Sequence, residues 1–316
     1  DIHSDGYFLA WDYFSNSAMG VAYSKTPNIG TSWKIVDSDI ANDVRHPSVI
    51  TITEEEYYRV LDAFGADSGE IEIPDTIEEP KAEPILHYSF EKDTIEGNIV
   101  KDISGNGNDG TLYGSPSFEE DPLNPDGQSI RLNNDNITSQ SGNGQYVSMP
   151  SQLLANINDV TISGWIYCIA GSATGNTNQG RFFDFGTGPS SSGKYYFYYS
   201  TQYDSSSPRV GITMNSNAGE TTVMAPNRDV GNWHHIAVVL DGTDMILYYD
   251  GVEYRRNSNL ATKPFMLEYT AAFLGRSMWG PDKLYNGRID DFRVYNSAVS
   301  GEEISNTYQG KTDDEL

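Results

Sequence analysis

The sequence has a single cysteine, few basic residues and no long hydrophobic run. Cys168 is the only cysteine among 316 residues, so no intrachain disulfide can form. The 20 Lys and Arg residues stand against 45 Asp and Glu residues, giving a formal net charge of −25 at pH 7. Because this charge repels phosphate backbones and anionic lipids, we expect no nucleic-acid partner. No apolar run approaches the roughly 18–20 residues of a membrane-spanning helix, so we expect no membrane insertion.

The residues that are present favour an extracellular type of β-rich protein. The chain contains 30 glycines and 21 tyrosines, and its mean hydropathy is −0.51. This composition suits polar loops between strands and is compatible with neutral glycan ligands and bound divalent cations. We therefore expect a secreted, periplasmic or cell-surface location. Because the chain starts at Asp1 without Met or a signal-type segment, we also expect a piece of a longer protein.

The sequence divides into three segments: 1–65, a linker at 66–84, and 85–316. The linker is acidic and contains Pro74, Pro80 and Pro84, a composition that keeps a chain extended. The first segment has four short strand patterns, followed by a helix pattern that starts at the N-cap Thr53 and stops at Gly65. One small sheet cannot bury both of its faces, so this segment needs neighbouring structure.

The third segment is nearly all strand pattern, which predicts an all-β, antiparallel sandwich. Residues 161–168 carry bulky apolar groups on both faces, so we expect a central strand there. Asp250-Gly251 predicts a tight hairpin turn. Further strands are predicted at 181–185, 195–199, 210–214, 234–240, 245–249, 272–274 and 287–295.

Four blocks of this segment resemble the laminin-G/concanavalin-like superfamily, in that family's order. Each block alone is weakly specific, but together they extend over about 85–310 and imply a jelly-roll β-sandwich. The blocks are 86–91 with 102–110, 160–167, 232–242 with 247–251, and 286–295.

The resemblance implies a structural Ca²⁺ that joins the glycine/asparagine loop to the final strand. Its ligands would be Glu91, Asn106, Asn108 and Asp290, although the family more often has Asp where Glu91 stands. The residues allow this, because calcium prefers oxygen ligands and strand alternation places Asp290 on the apolar face of Phe292. Alternatively, Asp290 pairs with an arginine or caps a turn.

Glycan binding requires exposed aromatic rings beside planar polar groups. Trp279, in a loop with Gly280 and Pro281, is the candidate substrate-binding aromatic. The run 195–199 is aromatic on both faces, so one face of that strand is expected to line a ligand-bearing surface or to pack between sheets.

Residues 1–65 resemble the last blade of a five-bladed propeller glycoside hydrolase of the family 43 type, through 7–13, 20–27 and 45–50. The family usually has Gly where Pro47 stands. The resemblance implies that the missing N-terminal blades are partners of this segment and that His46 lies near the sugar site; otherwise His46 is a turn residue. A looser match of 26–33 to the sialidase Asp-box is the competing propeller interpretation, with Asn28 replacing Asp.

Two hypotheses about function follow. In the first, the chain is the C-terminal portion of a secreted glycoside hydrolase acting on arabinan, xylan or galactan, with an accessory carbohydrate-binding sandwich. In the second, it is a non-catalytic glycan-binding or adhesion protein. The catalytic carboxylate pair of a glycosidase is not identifiable in the sequence, so the catalytic residues are unknown.

Calcium binding predicts a stability change. We expect added Ca²⁺ to raise the melting temperature of the sandwich, because a ligand that binds only the folded state stabilises it. The substitution Asp290→Ala should abolish the increase. Thermal melts with Ca²⁺ and with chelator measure this, and identical curves would contradict calcium binding.

Overall fold

The computed structural model divides the chain into two units, Asp1–Lys81 and Ala82–Leu316. In the first unit it describes the backbone of 7–12, 19–24, 34–35 and 48–50. In the second, the described residues are 82–120, 127–135, 137, 144–169, 180–189, 194–202, 208–215 and 219–310.

The described part of the first unit is one antiparallel sheet with strand order β3-β2-β1-β4. Its strands are β1 (Tyr7–Asp12), β2 (Met19–Ser24), β3 (Lys34–Ile35) and β4 (Ser48–Ile50). All four predicted strands are thus confirmed. The helix predicted from Thr53 and the residue His46 lie outside the described residues.

The second unit contains an eight-stranded antiparallel sheet with the order β19-β18-β17-β12-β21-β10-β9 and with β5 paired to β21. The long strands β12 and β21 lie at its centre, which confirms the central strand predicted at 161–168. Its strands are β5 (Leu86–Tyr88), β9 (Ser117–Glu120), β10 (Gln128–Leu132), β12 (Val160–Cys168), β17 (Trp233–Asp241), β18 (Asp244–Tyr249), β19 (Val252–Asn257) and β21 (Gly287–Tyr295).

A nine-stranded antiparallel sheet, with the order β16-β15-β14-β13-β20-β11-β8-β7-β6, forms the other layer of the sandwich. Its strands are β6 (Ile95–Glu96), β7 (Ile99–Val100), β8 (Gly110–Tyr113), β11 (Tyr146–Ser148), β13 (Arg181–Gly186), β14 (Tyr196–Ser200), β15 (Arg209–Thr213), β16 (Thr221–Met224) and β20 (Ala271–Leu274). The all-β sandwich predicted from the strand patterns is therefore confirmed.

Aromatic side chains from both sheets fill the core. Phe292 of β21 is fully buried and lies edge-on to Phe182 of β13, with ring centroids 5.6 Å apart. Tyr88 of β5 is tilted against Phe292 at 6.4 Å and donates a 2.6 Å hydrogen bond to the Asn108 carbonyl. Burying rings of this size contributes a large share of the hydrophobic stabilisation.

A β-bulge in β21 changes the face of Asp290. Trp165 pairs with Asp290 and Ser163 with Arg293, so two residues of β21 oppose Gly164, and Asp291 takes φ +47°. Because directly paired residues share a face, Asp290 lies on the outer face with Trp165. The expectation that Asp290 shares the core face of Phe292 was wrong, because regular alternation does not continue through the bulge.

The helix α1 (Gly301–Tyr308) packs on the outer face of the eight-stranded sheet. Ser300 caps it by accepting a 3.2 Å hydrogen bond at Oγ from the backbone N–H of Glu303. Ile304 is buried against this sheet, and the Tyr308 ring stacks on Trp165 at 5.6 Å. Within the described residues, no helix has the length and apolar character needed to cross a membrane.

The core packing predicts unequal effects for two phenylalanines. Phe292→Ala should destabilise the sandwich by about 3–5 kcal/mol, because it leaves a cavity in a well-packed core. Phe265→Ala should change stability by less than about 0.5 kcal/mol, since the Phe265 side chain is 47% exposed. Urea unfolding measures both, and equal effects would contradict this placement of the core.

Candidate functional site

The face of the nine-stranded sheet that points away from the core carries a second aromatic cluster. Phe197 and Tyr199 of β14 belong to the main core, whereas Tyr196 and Tyr198 join Phe273 in this cluster. The alternation along β14 therefore places aromatic rings on both faces, as predicted. Tyr196 and Tyr198 are only 2% and 1% exposed, so they form the base of this surface rather than its contact layer.

A buried ionic network lies beside these rings. Nε of Arg181 is 3.4 Å from Oδ2 of Asp184, and its Nη2 is 3.1 Å from Oδ2 of Asp282. The guanidinium carbon also lies 3.9 Å from the centroid of the Tyr198 ring, a cation–π contact. Because all three charged side chains are nearly inaccessible to water, removing one would leave an uncompensated buried charge.

This network fixes the loop at 275–284, which follows β20. The backbone N–H of Met278 donates to Oδ2 of Asp184 at 2.9 Å, and Ser277 Oγ donates to Asp282 at 2.7 Å. The backbone N–H of Trp279 in turn donates to Ser277 Oγ at 3.0 Å. Trp279 is half-buried and packs against the second aromatic cluster. The predicted substrate-binding aromatic is therefore held by hydrogen bonds on both sides of its loop.

Burial raises the pKa of Asp184 to about 7, although Arg181 and the Met278 amide oppose this shift. Among the described residues, Oδ1 of Asp184 has no hydrogen-bond partner, which adds to the cost of ionising this carboxyl group. Burial thus favours the neutral form of this carboxyl group more than that of an exposed aspartate.

A second ionic group orders the side of this face near β15. Tyr198 donates from its hydroxyl to Oε1 of Glu220 at 2.9 Å and accepts from Nε of Arg209 at 2.6 Å. Arg209 also contacts Glu220 at 3.0 Å. Gly211 makes this arrangement possible, because a Cβ there would lie 2.8 Å from the Tyr198 ring and 2.6 Å from Glu220.

The aromatic platform consists of Tyr113, Tyr146, Phe273, Arg276 and Trp279. Tyr113 and Tyr146 are stacked with ring centroids 4.7 Å apart and planes 4° apart, and Tyr146 meets Phe273 edge-on at 5.5 Å. The guanidinium carbon of Arg276 lies 4.6 Å from the Tyr146 centroid. Tyr113 is 44% exposed, so its ring is open to a ligand. Such a surface can stack on the apolar face of a ring and donate hydrogen bonds from a guanidinium.

Sequence reasoning identified Trp279 but missed Tyr113, Tyr146 and Arg276. Tyr113 and Tyr146 are brought together by the pairing of β8 with β11, across 33 positions of chain. The only local signal was the alternation that puts Leu112 and Val147 in the core and their tyrosine neighbours outside it.

The glycine-rich loop at 102–110 is closed by Asp102. Its Oδ1 accepts hydrogen bonds from the backbone N–H groups of His87 at 2.9 Å and Ser104 at 3.0 Å, and its Oδ2 accepts from Asn108 at 2.9 Å. Burial would raise the pKa of Asp102, but a hydrogen bond with the Ser104 side chain and the three backbone hydrogen bonds lower it below its usual range. The loop is therefore ordered by a carboxylate that has three amide donors from the chain itself.

The residues predicted to hold calcium lie at separate places. Asn106 and Asn108 share the loop, and Nδ2 of Asn108 donates to the Ile85 carbonyl at 2.8 Å. Ile85 is bonded through its N–H to the Val294 carbonyl at 2.7 Å. Asp290 stands four residues earlier on that strand, beyond the bulge at Asp291.

Glu91 engages another part of the fold, because its Oε2 accepts a 3.2 Å hydrogen bond from the backbone N–H of Gln128. In the part of the chain that the structure describes, no group of three or more His, Cys, Asp or Glu side chains is placed to hold a metal ion. The predicted ligands thus contact different parts of the fold, and calcium binding by this domain stays a prediction.

A known family shares this pair of antiparallel sheets. Residues 141–305 match a laminin-G-type model of the concanavalin A-like lectin/glucanases superfamily. The chain belongs to this superfamily.

Individual proteins are also similar. An alpha-L-arabinofuranosidase of Bifidobacterium longum subsp. longum is 27% identical over 182 residues, which is 53% of this chain and 16% of that protein. Domain 4 of AbnA, a GH43 extracellular arabinanase from Geobacillus stearothermophilus in complex with arabinotriose, has a TM-score of 0.54 at 20% identity, covering 73% of this chain and all of that domain. The binding domain of botulinum neurotoxin DC, in complex with rat synaptotagmin II, has a TM-score of 0.50 at 14% identity, covering 73% of this chain and 52% of that chain. The two structural similarities show the fold.

The raised pKa of Asp184 predicts a pH dependence of stability. An unfolded aspartate loses its proton near pH 3.8, whereas Asp184 in the fold keeps it to about pH 7. The folded state thus binds more protons in this window, and its stability should fall as pH rises from about 4 to about 7. Asp184→Asn should reduce this fall, whereas Asp93→Asn, at an exposed position, should preserve it. Urea unfolding at about pH 4.5 and pH 7.5 measures the change in stability of each protein. An equal change in the wild type and in Asp184→Asn would contradict the raised pKa of Asp184.

Proposed function

We propose that this chain is the C-terminal portion of a glycoside hydrolase, in which the sandwich binds polysaccharide and hydrolysis takes place in another part of the protein. The arabinofuranosidase relative supports the connection to glycoside hydrolases. The likeness in fold to one domain of an arabinanase is in line with an accessory role. Arabinan is the first candidate ligand, and xylan and galactan are the other candidates.

The aromatic platform is the main observation that supports a binding role. Tyr113 presents an exposed ring that is backed by Tyr146, and Tyr146 in turn lies against Arg276. Rigid aromatic rings gain contact area with little loss of side-chain entropy, and a guanidinium can donate to sugar hydroxyls in the same plane. Trp279, fixed by the hydrogen bonds of its loop, extends this surface along the sheet.

We also propose what surrounds this domain in the whole protein. The four-stranded sheet of 7–50 would be the last blade of a five-bladed propeller whose other blades precede Asp1, and His46 would lie near its sugar site. The protein would act in a secreted, periplasmic or cell-surface location, and Ca²⁺ would be a structural ion.

Sequencing the region upstream of Asp1 tests the proposed propeller. Four further blades with acidic active-site residues would support it. A coding sequence without such blades would favour the alternatives, an adhesion protein or a sialidase-type hydrolase.

The platform predicts a loss of polysaccharide binding in two variants. Tyr113→Ala and Trp279→Ala should each weaken binding to arabinan by about tenfold, because a lost aromatic stack costs about 0.5–1.5 kcal/mol beyond the buried area. Phe265→Ala is the control, since this ring is also about half exposed but belongs to another surface. Affinity electrophoresis and calorimetry with arabinan, xylan and galactan measure binding. The proposal would be contradicted if both platform variants kept the wild-type affinity for whichever of these three polysaccharides the wild type binds.

A further inference from the structure

The sequence contains Asn-Gly pairs at 106–107, 143–144 and 286–287. Asparagine is among the thermolabile residues, and a following glycine makes it more so. Glycine has no side chain to hinder the attack of its own backbone nitrogen on the amide carbon of that asparagine. Asn143 lies outside the described residues, whereas both members of the other two pairs are described. The surroundings of these two pairs in the fold are very different.

The backbone of the first pair is open. Asn106 and Gly107 lie in the glycine-rich loop that Asp102 closes, and both are exposed. Gly107 has φ +73°, and a Cβ built there would have no atom within 4 Å, so the space beside it is free. The N–H groups of Asn106 and Asn108 are engaged within the loop, whereas that of Gly107 has no hydrogen-bond acceptor among the described residues. The nitrogen that must attack is therefore available.

The side chain of Asn106 is held only loosely. Its Nδ2 donates to Ser104 Oγ at 3.0 Å and, in a longer contact, to the Pro84 carbonyl at 3.4 Å. Both contacts use the amide nitrogen, so neither covers the amide carbon. A nucleophile in the next residue then needs only local rotations to reach this carbon, and such proximity strongly accelerates a reaction.

The second pair is fixed on both sides. Oδ1 of Asn286 accepts hydrogen bonds from Nη1 of Arg131 at 2.9 Å and from the backbone N–H of Asn134 at 3.3 Å. Its Nδ2 donates to Asp135. Gly287 is buried in β21, where it pairs with both β10 and β12, and a Cβ built there would lie 2.3 Å from a backbone oxygen. The rotations that bring the amide carbon to the glycine nitrogen are blocked by these contacts.

We propose that Asn106 is a site of spontaneous deamidation and that the fold protects Asn286 from the same reaction. The backbone nitrogen of Gly107 loses its proton and attacks Cγ of Asn106. The bond from Cγ to Nδ2 breaks, and ammonia leaves with a proton, which gives a cyclic imide. Water then opens this imide at either carbonyl and leaves an aspartyl or an isoaspartyl residue. The net reaction consumes water and releases ammonia, and it needs no other reactant.

Deamidation changes the loop at 102–110 in charge and in length. The new carboxylate has no N–H group, so the donations to Ser104 and Pro84 are lost, and it adds a negative charge to a loop already closed by a carboxylate. The isoaspartyl form also lengthens the backbone by a methylene. Asp102 accepts from Ser104 and Asn108, on the two sides of the modified residue, so a longer backbone disturbs this closure.

The test compares the two pairs in the folded and in the unfolded chain. The full chain is incubated at mildly alkaline pH, either folded, as checked by circular dichroism, or in guanidinium chloride. Peptide mapping by mass spectrometry follows both amides and resolves isoaspartate. In the folded chain, we expect Asn106 to react at least about ten times faster than Asn286, a difference of about 1.4 kcal/mol in activation free energy. In guanidinium chloride the two rates should converge, because no contact then protects Asn286.

The variant Asn106→Gln is the control, since its longer side chain forms the cyclic imide much less readily and should keep its amide. Two results would overturn the inference. One is an intact Asn106 in the folded chain after the same residue has reacted in guanidinium chloride. The other is loss of the Asn286 amide in the folded chain as fast as that of Asn106. No polysaccharide is present in these samples, so the outcome is independent of the proposed function.

Discussion

One buried cation holds together the surface that we propose to bind polysaccharide. Arg181 is shared by Asp184, three residues along β13, and Asp282, 101 residues away in the loop that follows β20. A buried guanidinium is costly unless carboxylates compensate its charge, so the contact of Asp282 with Arg181 favours the observed position of the loop. Met278 then bonds to Asp184 through its backbone, and this bond sets the position of Trp279.

The sandwich uses the two faces of its nine-stranded sheet for different purposes. Phe197 and Tyr199 face the eight-stranded sheet and contribute to hydrophobic stability, whereas Tyr196 and Tyr198 support a polar and aromatic surface. The supporting layer is buried and rigid, so rings at its margin such as Tyr113 are presented without much freedom to lose. The proposed binding surface is thus built on strands and on a hydrogen-bonded loop.

Local patterns predicted most of the fold and little of the site. Alternation and turn residues are local properties, and they located strands such as β12, β17 and β21 to within a residue or two. The bulge at Asp291 was not predictable, because it depends on the close approach of β21 to Gly164. The contact of Arg181 with Asp282 and the stack of Tyr113 on Tyr146 arise from pairing between strands far apart in sequence. A sequence pattern contains no information on such partners.

The most direct test of the platform is a crystal structure of the protein with a bound arabinan oligosaccharide such as arabinotriose. We expect a sugar ring stacked on Tyr113, a second contact at Trp279 and a hydrogen bond from Arg276, with the loop at 275–284 in its present position. An oligosaccharide bound only at a surface that includes neither Tyr113 nor Trp279 would contradict it.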